Sequence, residues 1–153
     1  YAETHMKTIE REMKELIAAD SNICRNYKLL TSIKGVGPIT AIVMLCSTLN
    51  FTKITDHRKF ACYCGLAPFE HSSGTSVRGG CHTSSMANRD IKVQLNRSAL
   101  IAIRCDPQLK AYYERKVAEG KHKFSVLNAV RAKIAARCFA VVRRGTPYVA
   151  LQI

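Results

Sequence analysis

No stretch of the sequence is apolar for the ~18 residues that a membrane-spanning helix needs, and no signal-peptide pattern is visible. Internal repeats and low-complexity segments are missing too. These absences argue against a membrane protein and against a repeat array. With 47% hydrophobic residues among 153, the chain is not a disordered tail, and its length suits one domain with its own core.

The seven cysteines do not indicate a disulfide framework, because their number is odd and most lie in apolar helical patterns. We expect reduced thiols in a cytosolic protein. A zinc site is also disfavoured, since the available ligands depart from the usual Cys-x2–4-Cys spacing. Those ligands are Cys62, Cys64, Cys81 and His82.

Acidic residues are scarce: the chain has 11 Asp and Glu but 24 Lys and Arg, which gives a net charge of +13. Asp56, Asp90 and Asp106 show no spacing that would gather carboxylates, so we expect no cofactor and no bound catalytic metal in this chain. The positive charge favours a polyanionic partner, usually nucleic acid, through counterion release. It is spread over several predicted helices rather than a tail. A merely basic soluble protein is the alternative.

Hydrophobic periodicity predicts an all-α fold, beginning with a helix over 2–19. Its apolar residues form a narrow stripe typical of a coiled-coil seam, namely Met6, Ile9, Met13, Leu16 and Ile17. We expect 1–20 to be this helix, the end of a coiled-coil linker that forms a homo-oligomer; packing on its own domain is the alternative. We expect 21–148 to be the main domain and 149–153 a tail. Because the chain starts at Tyr1 in helical sequence, we expect it to be part of a longer protein.

Two of the further predicted helices flank a tight turn. A helix ending near Ser32 is followed by Lys34, Gly35, Val36 and Gly37, and Pro38 then starts the next helix. This pattern resembles the helix-hairpin-helix motif of DNA-binding proteins. Glycine permits close backbone approach, Val36 would anchor the turn in the core, and the N–H groups of the next helix would face a phosphate. An ordinary turn between helices is the alternative.

The second candidate segment is a Gly/Ser-rich stretch over 66–83, which predicts a long loop that can contain a small hairpin. Ser73 is a candidate nucleophile there, and its hydroxyl would need activation. His71 is a candidate base, and Arg78 could neutralise a phosphate oxygen. Residue types alone favour a plain turn. Later helices are predicted over 86–105, 108–119 and 124–142.

The order of the motifs makes the chain similar to the C-terminal domain of the insertion-sequence 110 family of transposases, over residues 27–148. That order is the Gly-Val-Gly turn, Phe60-Ala61-Cys62-Tyr63-Cys64-Gly65-Leu66-Ala67-Pro68, Ser73-Gly74, Asn88-Arg89-Asp90-Ile91-Lys92, and Tyr112-Tyr113 before a basic last helix. The resemblance implies a two-domain recombinase of the bacterial cytoplasm, associated with the nucleoid. An N-terminal RuvC-like domain would supply four acidic ligands for Mg²⁺, and a structured guide RNA would choose the target.

By position, the resemblance makes Ser73 the residue that attacks the scissile phosphodiester, with Ser72 as the fallback. We expect this chain alone to be inactive, because the acidic domain is absent. Many relatives have Lys-Arg-Gly-Asn where this chain has Ser85-Met86-Ala87-Asn88. Arg89 and Lys92 remain there as candidate DNA contacts. A non-catalytic nucleic-acid-binding module and an oligomerisation domain are the alternative functions.

Overall fold

The computed structural model describes residues 1–66, 68–73, 77–83 and 88–150, and for 68–73 and 77–83 it describes the backbone only. The elements are α1 (Ala2–Ala19), α2 (Ser21–Thr31), α3 (Pro38–Thr48), α4 (His57–Tyr63), β1 (Pro68–Ser73), β2 (Val77–Thr83), α5 (Arg89–Cys105), α6 (Pro107–Ala118) and α7 (Lys123–Arg144). The expected helical fold class is confirmed. No helix within these ranges is long and apolar enough to cross a membrane.

Short polar side chains fix where the helices begin. Asp20 accepts hydrogen bonds from two N–H groups at the start of α2, and Asp106 does the same for α6. Asn88 caps α5, so this helix begins at Arg89 rather than at the predicted residue 86. The second oxygen of Asp106 also accepts a hydrogen bond of 2.7 Å from Arg137, which links the start of α6 to α7.

One hydrophobic core unites α2 to α7. Each of these helices contributes a side chain that is almost fully buried, namely Leu30, Met44, Phe60, Leu95, Leu109 and Ile134. Burial of apolar side chains is the main force that holds such a helical domain together. The polar pair Thr40 and Ser98 is also buried, and their hydroxyl oxygens lie 2.9 Å apart between α3 and α5.

Helix α1 contacts α2 but buries none of its own residues. Met6, Ile9 and Leu16 of its apolar stripe are 62%, 50% and 72% exposed. The other two residues of the stripe, Met13 and Ile17, are half-buried, so packing of this helix on its own domain stays an alternative. The role of the stripe in a coiled coil stays a prediction.

The segment predicted as a long loop contains an antiparallel hairpin of β1 and β2. The small hairpin that the sequence suggested within this loop is present, because backbone groups pair between the two strands. The register shifts after Glu70: Glu70 pairs with Cys81, whereas Ser72 pairs with Arg78. Gly79 and Gly80 therefore stand opposite the single residue His71, a β-bulge of the kind that glycine permits.

Candidate functional site

The turn between α2 and α3 has a buried side and an exposed side. Ile33 and Val36 are 1% and 5% exposed, and the Val36 N–H donates a 3.0 Å hydrogen bond to the Ile33 carbonyl. Val36 thus anchors the turn in the core. Of the four residues predicted at this turn, Lys34 and Gly37 are exposed and accessible to a ligand.

Gly35 lies on the inner side of this turn, against α5. Its φ is +93°, and a Cβ built there would lie 2.6 Å from the Ser98 carbonyl oxygen and 2.9 Å from the Ala102 Cβ. Both the backbone conformation and the close approach require glycine. Gly37 differs, because a Cβ there would meet no described atom within 4 Å. Gly35 therefore has a packing role that its sequence motif did not reveal.

Gly37 is the N-cap of α3 and Pro38 is its first residue. The first N–H groups of any helix have no partner within the helix, and its dipole favours anions at that end. Lys34 is close in the chain and exposed. The turn thus combines a cation with free backbone donors, which suits a phosphate group.

Three hydrogen bonds hold the base of the hairpin. The Lys92 Nζ donates to the Gly65 carbonyl at 3.2 Å, and the Asn128 Nδ2 donates to the Leu66 carbonyl at 2.9 Å. On the other side of the hairpin, the Asn88 N–H donates to the Tyr63 carbonyl at 3.0 Å. Helices α4, α5 and α7 therefore fix both ends of the segment that carries Ser73.

This arrangement changes how two predicted DNA contacts are interpreted. Lys92 is half-buried and already bonded to a carbonyl, so it positions the hairpin base, and its contact with phosphate stays a prediction. Arg89 is exposed in the first turn of α5. Asn128 was missed by sequence reasoning, because it lies 62 residues from its partner and follows no recognisable motif.

Ser73 is the last residue of β1, and its backbone partner is Val77. Ser72 is the backbone partner of Arg78. Residues 74–76, which include the Gly74 of the Ser-Gly pair, lie outside the described residues. The fold therefore brings the serine pair and Arg78 to one end of the hairpin, opposite the end that Lys92 and Asn128 hold.

The described residues offer no metal centre. Within them, no group of three or more His, Cys, Asp or Glu side chains could hold an ion. Asp56 and Asp106 cap helices, and Asp106 also pairs with Arg137. Among the described side chains, the acidic residues therefore do not form a group that fits Mg²⁺ on its own.

Cys64 lies just before the hairpin as a protonated thiol. Its Sγ donates to the Phe60 carbonyl at 3.0 Å, and burial raises its pKa to about 12. Burial likewise raises the pKa of Cys138 to about 12. Zinc binds the thiolate rather than the thiol, so ligation of zinc by Cys64 would require loss of the proton that it donates to Phe60. The side chains of Cys81 and His82 lie outside the described residues.

These thiols give a prediction about reactivity. At pH 8, iodoacetamide should modify exposed Cys62 at least about 100-fold faster than buried Cys64, although the two are close neighbours, because the thiolate is the nucleophile. Peptide mass spectrometry after timed labelling measures both rates. Equal rates in the folded protein would contradict the burial of Cys64, and equal rates in guanidinium are the control.

The same pKa shifts predict the direction of a pH effect. In the unfolded chain these thiols ionise near the ordinary value of 9.0, whereas in the folded chain they stay protonated to about 12. Their stabilising contribution is therefore present below pH 9 and lost as the pH rises from 9 towards 12.

Comparison with known proteins gives a consistent result. Residues 27–114 match the model described as "Transposase IS116/IS110/IS902 family". The chain is 39% identical over 121 residues to the "Insertion element IS110 uncharacterized 43.6 kDa protein" of Streptomyces coelicolor, which covers 78% of this chain and 29% of that protein. It is 23% identical over 141 residues to the "Pilin gene-inverting protein" of Moraxella bovis, covering 92% of this chain and 44% of that protein. The chain thus spans less than half the length of these two relatives.

Proposed function

Because the chain belongs to the IS116/IS110/IS902 family of transposases, we propose that it is the DNA-binding part of a recombinase and supplies its serine nucleophile. The observation that carries the proposal is the position of the match. Residues 27–114 include both the exposed turn at Lys34 and the hairpin whose first strand ends at Ser73. One relative is named for inverting a pilin gene, which is a rearrangement of DNA.

The proposed chemistry is an exchange of phosphate esters. The Ser73 oxygen attacks the phosphorus, an O–P bond to the serine forms, and the bond to one sugar oxygen breaks. The serine proton passes to a base, for which His71 is the candidate, and the departing sugar oxygen takes up a proton. One ester replaces another, so no external energy source is needed, and the reverse attack by a new DNA end releases the serine.

The remaining residues are proposed to hold DNA in place. Lys34, Gly37 and the start of α3 would contact a backbone phosphate, which positions DNA without reading its sequence. Arg78 and Arg89 would neutralise further phosphates. The bonds from Lys92 and Asn128 to the base of the hairpin would limit the positions that Ser73 can take.

Other parts of the proposal concern the full-length protein. A domain outside this chain would bind Mg²⁺ through acidic residues, and a guide RNA would select the target. The exposed stripe of α1, with Met6, Ile9 and Leu16, would join two copies of the protein. A protein that recombines chromosomal DNA would be located in the bacterial cytoplasm, at the nucleoid.

The test uses the full-length protein with Mg²⁺, guide RNA and a labelled nicked target. We expect a protein–DNA adduct that survives denaturant, and peptide mapping should find the phosphodiester on Ser73. An adduct mapped to Ser72 would move the nucleophile by one residue. If DNA binds and no adduct forms under any condition, the chain is a non-catalytic binding module and the proposed chemistry is wrong.

The contact at the turn gives a separate prediction. In the full-length protein, Lys34→Gln should flatten the dependence of log affinity on log salt by about 0.9, because one phosphate contact releases about one counterion. The control is Lys53→Gln, which removes the same charge from an exposed site beyond the far end of α3. Fluorescence anisotropy over a salt series measures both slopes. An equal slope for wild type and Lys34→Gln would remove Lys34 from the interface.

A further inference from the structure

Helices α6 and α7 enclose a groove of about 590 Å³ that lies outside the turn and the hairpin. Its polar lining comes from Gln108, Tyr112, Arg115, Lys133 and Arg137. None of the lining residues found in the described part of the chain is acidic. The groove therefore concentrates positive charge in a concave surface.

Two cations converge on one aromatic ring in this groove. The Lys133 Nζ lies 4.6 Å from the centre of the Tyr112 ring, and the Arg115 guanidinium carbon lies 5.8 Å from the same centre. Arg115 has only a long contact to exposed Glu119, at 3.9 Å. For Lys133, no carboxylate of a described residue lies within ion-pair distance. Both cations border the same groove, so an anion that enters it is attracted by each of them.

The third cation, Arg137, is already bonded to neighbouring side chains. It is paired with Asp106 at 2.7 Å and with Gln108 at 2.7 Å, and its guanidinium lies over the Tyr148 ring at 4.7 Å. These bonds hold one wall of the groove rigid. Arg115 and Lys133 are left as the exposed cations that can bind a ligand.

We propose that this groove is a second binding site for the phosphodiester backbone of DNA, with Arg115 and Lys133 as the phosphate contacts. The choice of DNA rests on the proposed function, whereas the choice of a phosphate ligand rests on the groove itself. Lys133 covers one face of the Tyr112 ring, so backbone contact is favoured over stacking of a base. This contact would not depend on the DNA sequence, and it would extend the proposed DNA interface well beyond the turn at Lys34.

The test compares two double variants of the full-length protein. Arg115→Gln with Lys133→Gln should weaken DNA binding about 5- to 30-fold near 0.15 M salt and flatten the salt slope by about two. The control is Lys110→Gln with Lys121→Gln, which removes equal charge from exposed sites that do not line this groove. Circular dichroism and thermal unfolding should show both variants folded, because all four side chains are exposed.

Equal slopes for the two variants would overturn the groove site and attribute any loss to net charge alone. A loss confined to RNA of the same sequence, with DNA binding intact, would overturn DNA as the ligand. The proposal that Ser73 is the nucleophile is tested independently of the groove. If the groove variant loses affinity, the control variant does not, and wild type forms no covalent adduct, the groove site is supported and the nucleophile proposal is wrong. If the adduct forms and the slopes agree, only the groove is wrong.

Discussion

Ser73→Ala in the full-length protein should lower the rate of DNA strand cleavage at least about a thousandfold and leave DNA affinity within about twofold. The variant removes one oxygen, which is the atom proposed to form the new bond to phosphorus, and it removes no charge. A loss in the cleavage step with unchanged binding is the signature of a group that acts only in the chemical step.

The matched control is Ser72→Ala, the same substitution one residue earlier in β1. Its cleavage rate should stay within a few-fold of wild type. Single-turnover cleavage of a labelled target, with affinity measured separately, distinguishes the two steps. A large loss in Ser72→Ala with full activity in Ser73→Ala would assign the nucleophile to Ser72, whose backbone partner is Arg78.

Gly35→Ala should lower the free energy of unfolding by about 2–5 kcal/mol, which corresponds to roughly 10 °C in Tm for a domain of this size. Two costs add. The left-handed backbone at φ +93° disfavours any side chain, and the new Cβ would lie 2.6 Å from the backbone oxygen of Ser98. Because Ser98 belongs to α5, a central helix of the core, the strain cannot be relieved by moving one flexible side chain.

The control for Gly35→Ala lies two residues away. Gly37→Ala keeps an ordinary backbone region, with φ −90° and ψ −179°, and its Cβ would enter open space among the described atoms. Its stability should change by less than about 1 kcal/mol. Chemical denaturation of both variants measures the difference. Equal losses for the two glycines would mean that the turn does not pack against α5 as described.

The sequence predicted those features of the fold that depend on neighbouring residues in the chain. The first helix and the turn at Gly35 follow local rules of periodicity and backbone geometry, so apolar spacing and the glycines predicted them. The start of α5 was predicted at residue 86, too early, because Asn88 was not considered as the N-cap. The two strands of the hairpin could not be predicted in the same way, because bulged strands rich in glycine and serine lack a clear alternation of polar and apolar residues.

Long-range contacts had no signal in the sequence. The bond between Asn128 and Leu66 spans 62 residues, and the pairing of Asp106 with Arg137 spans 31. Lys92 was predicted as a DNA contact because it is a cation in the segment that resembles the family. Its bond to the Gly65 carbonyl could not be predicted, because that bond depends on how α4 and α5 pack together. The groove between α6 and α7 was missed for the same reason. Its cations come from two helices whose packing no single-sequence pattern specifies.

The anchoring of the hairpin at Gly65 and Leu66 on one side and Asn88 on the other has a consequence for how such proteins diversify. These anchors come from α4, α5 and α7. None of the three bonds involves residues 67–87, so a change of length between Leu66 and Asn88 leaves the bonded groups in place. If Ser73 is the nucleophile, as we propose, the segment that carries it can differ in length and sequence among relatives while its attachment to the helices stays the same.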